Sequence, residues 1–264
     1  YCPALTTLVL PSTVKEIGEY AFYGSVLASL GDDSLGNVTT IGKDAFTYTK
    51  LQSVKIAPNA TIGDYAFYGC EDLATVENLD KAVKIGAYAF YKTAISSLDL
   101  ANATYVGQYA FGYTNITSVS FNEKLTEIGD NPFVGCAIET YGKEVKKQFN
   151  GEDRYEMEYT YDINDTLKVI DGVLYQKIAT GLELVSYPRA NKATGYTVLE
   201  GTKRISASAF AGAPLQNVIL ASTLQSIGDK AFYQCESLNT VVFLSYKAPI
   251  LEEEYDASHL TFYN

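Results

Sequence analysis

One hexapeptide pattern, I-G-x-x-A-F, returns eight times and constrains the fold more than any other feature of the chain. It reads IGEYAF at 17 to 22, IGKDAF at 41 to 46, IGDYAF at 62 to 67, IGAYAF at 85 to 90 and VGQYAF at 106 to 111. IGDNPF at 128 to 133, ISASAF at 205 to 210 and IGDKAF at 227 to 232 complete the set. The phenylalanines lie 24, 21, 23, 21 and 22 residues apart, then 77, then 22. A second pattern, L-x-x-V-x-L, runs between the blocks: LTTLVLP (5 to 11), LQSVKIAP (51 to 58), ISSLDL (95 to 100), ITSVSF (116 to 121), LQNVIL (215 to 220) and LNTVVF (238 to 243). A unit of this length cannot bury its apolar face alone, but stacked on copies of itself it can.

Each column then has a physical task. The last two apolar residues of L-x-x-V-x-L alternate with a polar one, as a short half-buried strand requires. The glycine after Ile suits a sharp bend or a close approach between backbones. Ala leaves room for the ring that follows, and Phe fills the interior once per coil. The expectation is a solenoid with one continuous parallel sheet on one side and short helical turns on the other.

The unit I-G-x-x-A-F-x-x-C-x-x-L-x-x-V-x-L-P resembles the BspA-like leucine-rich repeat, a bacterial cell-surface subtype also found in some parasitic protists. The resemblance covers residues 1 to 136 and 201 to 245. It implies an α/β leucine-rich-repeat solenoid, right-handed, with its parallel sheet on the concave side and helical turns on the convex side. It also implies a secreted or surface-anchored protein that binds host or neighbouring-cell proteins; no enzyme is expected, because no acid, base or nucleophile is set apart from the repeat.

Between about 137 and 200 the period lapses. In "IDGVLYQ" (170 to 176), Asp171 and Gly172 separate two apolar alternations as a tight hairpin turn does, and "YQKIATGLELVSYP" (175 to 188) reads as a second hairpin. The stretch is expected to be a small antiparallel sheet within a single solenoid domain spanning 1 to 264. Similar D-G-V-L-Y insertions occur in relatives of the family. The charged run before it, "KEVKKQFNGEDRYEMEY", is expected to hold a short helix. The long second coil, "GSVLASLGDDSLGNVTT" (24 to 40), is expected to loop out.

A formal net charge of -11 and a pI near 4.6 argue against capture of nucleic acid or anionic membrane. No run of about 18 apolar residues marks a membrane span and no leader is recognisable. His259 is the only histidine, G-x-S-x-G and G-x-G-x-x-G are missing, and no pair of His or Cys stands at ligand spacing. Asp32 with Asp33, Glu252 to Glu254 and "DINDT" (162 to 166) do not follow the spacing of a calcium loop and read as surface charge. No cofactor or metal is expected.

Cys2, Cys70, Cys136 and Cys235 share one column, otherwise filled by Ser25, Thr49, Thr93, Thr114 and Ala213. Three coils separate Cys2 from Cys70 and Cys70 from Cys136, about 15 Å at strand spacing, too far for a disulfide. Buried free thiols are expected. Tyrosines form two columns, Tyr20, Tyr65, Tyr88 and Tyr109 before the Ala, and Tyr23, Tyr68, Tyr91 and Tyr233 after the Phe. They read either as inter-coil packing or as an aromatic strip for sugar rings, the feature supporting an alternative function as a glycan-binding module of a surface uptake system. The candidate protein-binding surface is the outward side of the strands: Thr7, Val9, Ser53, Lys55, Thr75, Glu77, Ser97, Asp99, Ser118, Ser120, Asn217, Ile219, Thr240 and Val242. Sequons begin at Asn37, Asn59, Asn102, Asn115 and Asn164 and read as Asn-rich turns. Both ends break off within a coil pattern, which suggests a longer array or a partner covering an end.

Overall fold

The computed structural model describes residues 2–31, 35–150 and 152–252, with the side chain of Phe149 left aside, and its contacts divide the chain into two units, Tyr1–Cys136 and Ala137–Asn264. In the first unit the longest sheet lies at the start of the I-G-x-x-A-F block. Glu16–Ile17, Thr40–Ile41, Thr61–Ile62, Lys84–Ile85, Tyr105–Val106 and Glu127–Ile128 pair in parallel, each Ile or Val opposite that of the next coil. The L-x-x-V-x-L strands instead form isolated pairs, Ser53–Lys55 with Thr75–Glu77 and Leu98–Asp99 with Val119–Ser120, plus a single bridge from Thr7 to Ser29. The expected single continuous sheet is therefore corrected to one continuous ladder and a second, broken side. The hexapeptide never changes length, whereas the residues between blocks vary from coil to coil, so pairing stays in step only beside the constant segment.

The expected helical turns are also absent: among the described residues the only helix is a single 3-10 turn, Leu79–Lys81. After each Ile-Gly the chain makes turns whose alternate N–H groups point along the stack. Tyr20, Phe22 and Gly24 donate to the carbonyls of Lys43, Ala45 and Thr47 at 2.8–3.0 Å, and Tyr65, Phe67 and Gly69 to Ala87, Ala89 and Tyr91 at 2.8 Å. A helix would turn those donors onto its own carbonyls. What prevents it is left-handed backbone twice per coil. The residue before Ala (Tyr20, Asp44, Tyr65, Tyr88, Tyr109, Ser208, Lys230) and the second after Phe (Gly24, Tyr48, Gly69, Lys92, Tyr113, Gly135, Gly212, Gln234) all have positive φ.

A side-chain-bearing residue in that conformation costs roughly 1–2 kcal/mol, and glycine's extra freedom in the unfolded chain costs about 0.5–1 kcal/mol. Gln234, exposed with φ 55, stands where four other coils carry glycine. Gln234→Gly is expected to stabilise the protein by about 0.5–1 kcal/mol in urea unfolding. A lower midpoint would refute the assignment of strain to this column.

The column glycine has no left-handed backbone and serves close approach instead. A Cβ on Gly63 would meet the Gly42 carbonyl carbon and the Lys43 nitrogen of the preceding coil at 2.8 Å, and one on Gly86 would meet Asp64 N at 2.5 Å. Such proximity lets the phenylalanines stack. Phe22, Phe46, Phe67 and Phe90 follow one another with centroids 5.2 Å apart, and Phe111 follows at 5.4 Å, with every plane within 15° of the next. From Phe46 to Phe111 the rings are wholly buried.

The second unit contains both predicted hairpins. Leu167–Ile170 and Val173–Ile178 pair antiparallel across Asp171 and Gly172, with φ 50 and 75, the two positive values of a type I′ turn. Val173–Ile178 then pairs with Gly181–Ser186. That last strand lies parallel to Thr202–Ile205, which continues to Ser226–Ile227 and Ile250–Leu251, so one seven-stranded sheet joins the hairpins to the coils.

The stretch from 181 to 197 also behaves as a coil without the repeat's sequence. Ser206 N–H bonds Leu184 O as Gly42 bonds Ile17, Tyr187 N–H bonds Ala209 O as Phe22 bonds Ala45, and the Tyr187 ring stacks on Phe210 at 5.3 Å. Gly195–Thr197 then starts a parallel three-stranded sheet with Asn217–Leu220 and Thr240–Phe243.

The helix expected in the charged run is corrected. Lys143–Phe149 and Glu152–Glu158 form an antiparallel ribbon, and lysines face carboxylates across it. The missed signal was the dipeptide Asn150-Gly151, the strongest short hairpin signature.

Candidate binding surface

Strand alternation sets which way the candidate residues face. Val54, Leu98, Val119 and Val218 turn inward and are buried, while all the outward candidates are exposed except Lys55 and Ile219, which are half-buried. Pairing sets Ser53 beside Thr75, Lys55 beside Glu77 and Asp99 beside Ser120 in the first unit, and Asn217 beside Thr240 and Ile219 beside Val242 in the second. Thr7 sits at the isolated bridge, Val9 beyond it is 72% exposed, and Ser97 and Ser118 stand just before their strands. The surface is thus a series of short hydroxyl-rich and charged rungs, not one uninterrupted wall.

The tyrosines of the middle coils pack against one another between coils. Tyr65 stacks on Tyr88 at 4.8 Å and Tyr68 on Tyr91 at 5.2 Å, within 6° of parallel. Tyr48 meets Tyr68 edge-on at 5.5 Å, and Tyr91 meets Tyr113 at 5.3 Å. Tyr48 and Tyr113 join this network from the second position after Phe, which the sequence columns missed. Tyr65, Tyr68, Tyr88 and Tyr91 spend ring faces on their neighbours, whereas Tyr20, Tyr23, Tyr48 and Tyr113 remain 52%, 39%, 51% and 39% exposed. Withdrawal from water, followed by the neighbouring Tyr68, raises the Tyr48 phenol above its usual range.

The cysteine column holds small hydrogen-bond donors for the stacked turns. The thiols of Cys70, Cys136 and Cys235 reach the carbonyls of Phe46, Phe111 and Phe210 in the preceding coil at 3.0–3.1 Å, while Thr93 and Thr114 reach their own coil's Phe carbonyl at 2.9 Å. All four cysteines are free; three are buried as expected, but Cys2 is exposed. Burial pushes the Cys70 and Cys235 thiols up to about 11. Because the thiolate is the nucleophile, one cysteine of the four, Cys2, is expected to react with a maleimide at pH 8 in the native protein and all four after unfolding. Rapid native labelling of Cys70 would contradict this.

The charged groups of the second unit serve cohesion. Arg204 donates to the buried Glu183 and, through Nε and Nη2, to Glu252 at 2.9–3.2 Å; Ser206 and Gln176 also donate to Glu183, at 2.6 and 2.7 Å. Burial pushes the Glu252 carboxyl up, but the hydrogen bonds from Arg204 and Ser226 and the Arg204 charge outweigh it and hold the group below its usual range. Tyr175 and Tyr196 share a hydroxyl contact of 2.7 Å, and burial drives both phenols upward.

In "DINDT", Asp162 pairs with Lys168 at 3.2 Å, and Asn164 accepts from the Thr166 and Leu167 amides. No group of three or more His, Cys, Asp or Glu is arranged to hold a metal among the described residues. Asp32, Asp33, Glu253, Glu254 and His259 lie outside them. No helix among the described residues is long and apolar enough to cross a membrane.

Parallel ladders, one stacked ring per coil and backbone-to-backbone glycine contacts define a repeat solenoid. The chain belongs to the BspA type leucine rich repeat family, whose model matches in six copies over residues 1–59, 39–148 and 190–261. Its fold is similar to that of a leucine rich cell surface protein from Faecalibacterium prausnitzii A2-165 (24% identity over 90% of this chain, TM-score 0.63). Also similar are the pneumococcal vaccine antigen PcpA (19% over 90%, TM-score 0.55) and a leucine-rich repeat protein from Eubacterium ventriosum ATCC 27560 (20% over 91%, TM-score 0.51). This chain spans 61%, 50% and 60% of those chains respectively. No curated protein matches it.

Proposed function

We propose that the chain is a non-enzymatic scaffold, secreted or displayed on a cell surface, that binds host or neighbouring-cell proteins through the outward side of its short strands. The observation carrying this reading is the exposure of nearly every outward strand residue while the carboxylates of the Glu183–Arg204–Glu252 cluster are bound to arginine. Family membership and the cell-surface description of the Faecalibacterium relative support it.

The test is a binding screen of the purified chain against extracellular-matrix proteins and a glycan array. It is repeated with Ser53→Arg, Thr75→Arg, Ser97→Arg and Ser118→Arg combined. A protein ligand bound at least tenfold more weakly by the variant, with the thermal midpoint unchanged, is the expected result. Binding of glycans alone, or protein binding indifferent to the four substitutions, overturns the proposal.

A further inference from the structure

The ribbon formed by Lys143–Phe149 and Glu152–Glu158 is a two-stranded sheet with no third strand among the described residues. Its side chains are exposed on both faces, with Val145 and Glu158 half-buried, and Tyr155 and Met157 stand 60% and 47% open to solvent. An isolated two-stranded hairpin is marginally stable in water, and added strands stabilise it. Its two long edges therefore gain the most from a further strand.

The edges carry opposite charge. Lys143–Phe149 has three lysines against one glutamate, and Glu152–Glu158 has four carboxylates against one arginine. Within the ribbon this complementarity is already used: Lys143 meets Glu158 at 3.1 Å, Lys146 meets Asp153 at 2.6 Å and Lys147 meets Glu156 at 2.8 Å. Charged edge strands normally guard against edge-to-edge pairing. Here the guard works for like edges only, because acidic faces acidic or basic faces basic, whereas a basic edge meeting an acidic edge is attracted.

We propose that this ribbon is an interface between copies of the chain: the Lys143–Phe149 edge of one copy adds antiparallel to the Glu152–Glu158 edge of the next. The strands have equal length, and the intermolecular pairing repeats the register already made inside each ribbon, Lys143 opposite Glu158 through Phe149 opposite Glu152. Every lysine then lies between two acidic strands. The contact is heterologous, so it leaves a free basic edge at one end and a free acidic edge at the other, and assembly is open-ended rather than closed at a dimer.

Sedimentation velocity on the intact chain over rising concentration tests this. The expected result is progressive association at low ionic strength that reverses in 1 M salt, where the screening length falls to about 3 Å. An excess of a peptide of residues 143–149 caps the acidic edge and dissolves the assemblies; a peptide of residues 152–158 does so from the other side, and a 143–149 peptide with its charged residues replaced by serine does neither. A variant with 143–158 replaced by a short Gly-Ser loop stays monomeric. A chain that remains monomeric throughout, association that survives ribbon removal, or failure of both natural peptides overturns the proposal.

Discussion

Gly86→Ala is expected to lower stability by about 3 kcal/mol, while Gly18→Ala, the same exchange in the same column, stays within about 0.5 kcal/mol of the parent. A Cβ on Gly86 would lie 2.5 Å from both Asp64 N and the Gly63 carbonyl carbon, and these are backbone atoms locked in the ladder by the Gly86 N–H bond to Ile62 O. Overpacking costs about 1–3 kcal/mol where side chains can rearrange, and here the obstacle is not a side chain. Around Gly18 nothing lies within 4 Å, so an added Cβ there meets no backbone. Urea midpoints of the two variants measured side by side decide the matter. Equal losses would mean that the glycine acts through backbone freedom, and that close approach is irrelevant.

The glycine column was readable in the sequence because it repeats, and so were the alanines and phenylalanines it serves. The reason for glycine was left open between bend and approach, since both leave the same letter. The left-handed positions were not readable. Tyr, Asp, Ser and Lys occupy the site before Ala, and no shared side chain advertises a conformation that the stacked hydrogen bonds impose from outside. The same applies to residues 181 to 197, where Leu184 and Tyr187 take the hydrogen-bonding roles of Ile and Phe with neither the glycine nor the Ala-Phe pair.

Of the candidate surface, outwardness was legible, because alternation along a strand fixes it once the buried Val or Leu is known. The break of that surface into short pairs was not, because it arises from unequal lengths elsewhere in each coil. The packing of the tyrosines depended on ring orientation, which a column of identical letters does not contain.

Phe67→Ala is expected to cost about 3–5 kcal/mol, the range for emptying a buried aromatic site. Phe67 is wholly buried between Phe46 and Phe90, both 5.2 Å away and within 6° of parallel. The backbones on either side are held by ladder bonds, so the cavity has little means of collapsing. Phe22→Ala should cost clearly less, because Phe22 is half-buried and stacks on Phe46 alone in this column. In a stack stability is a sum over coils and their nearest neighbours. The double variant Phe67→Ala with Phe90→Ala should therefore depart from additivity by about 0.5 kcal/mol or more, while Phe22→Ala with Phe111→Ala, four coils apart, should be additive within about 0.3–0.5 kcal/mol. Urea unfolding of both cycles separates a continuous aromatic spine from a set of independent core sites. Additivity in the adjacent pair would leave the rings as space-fillers only, whereas coupling confined to neighbours would show that each coil stabilises the next through its ring.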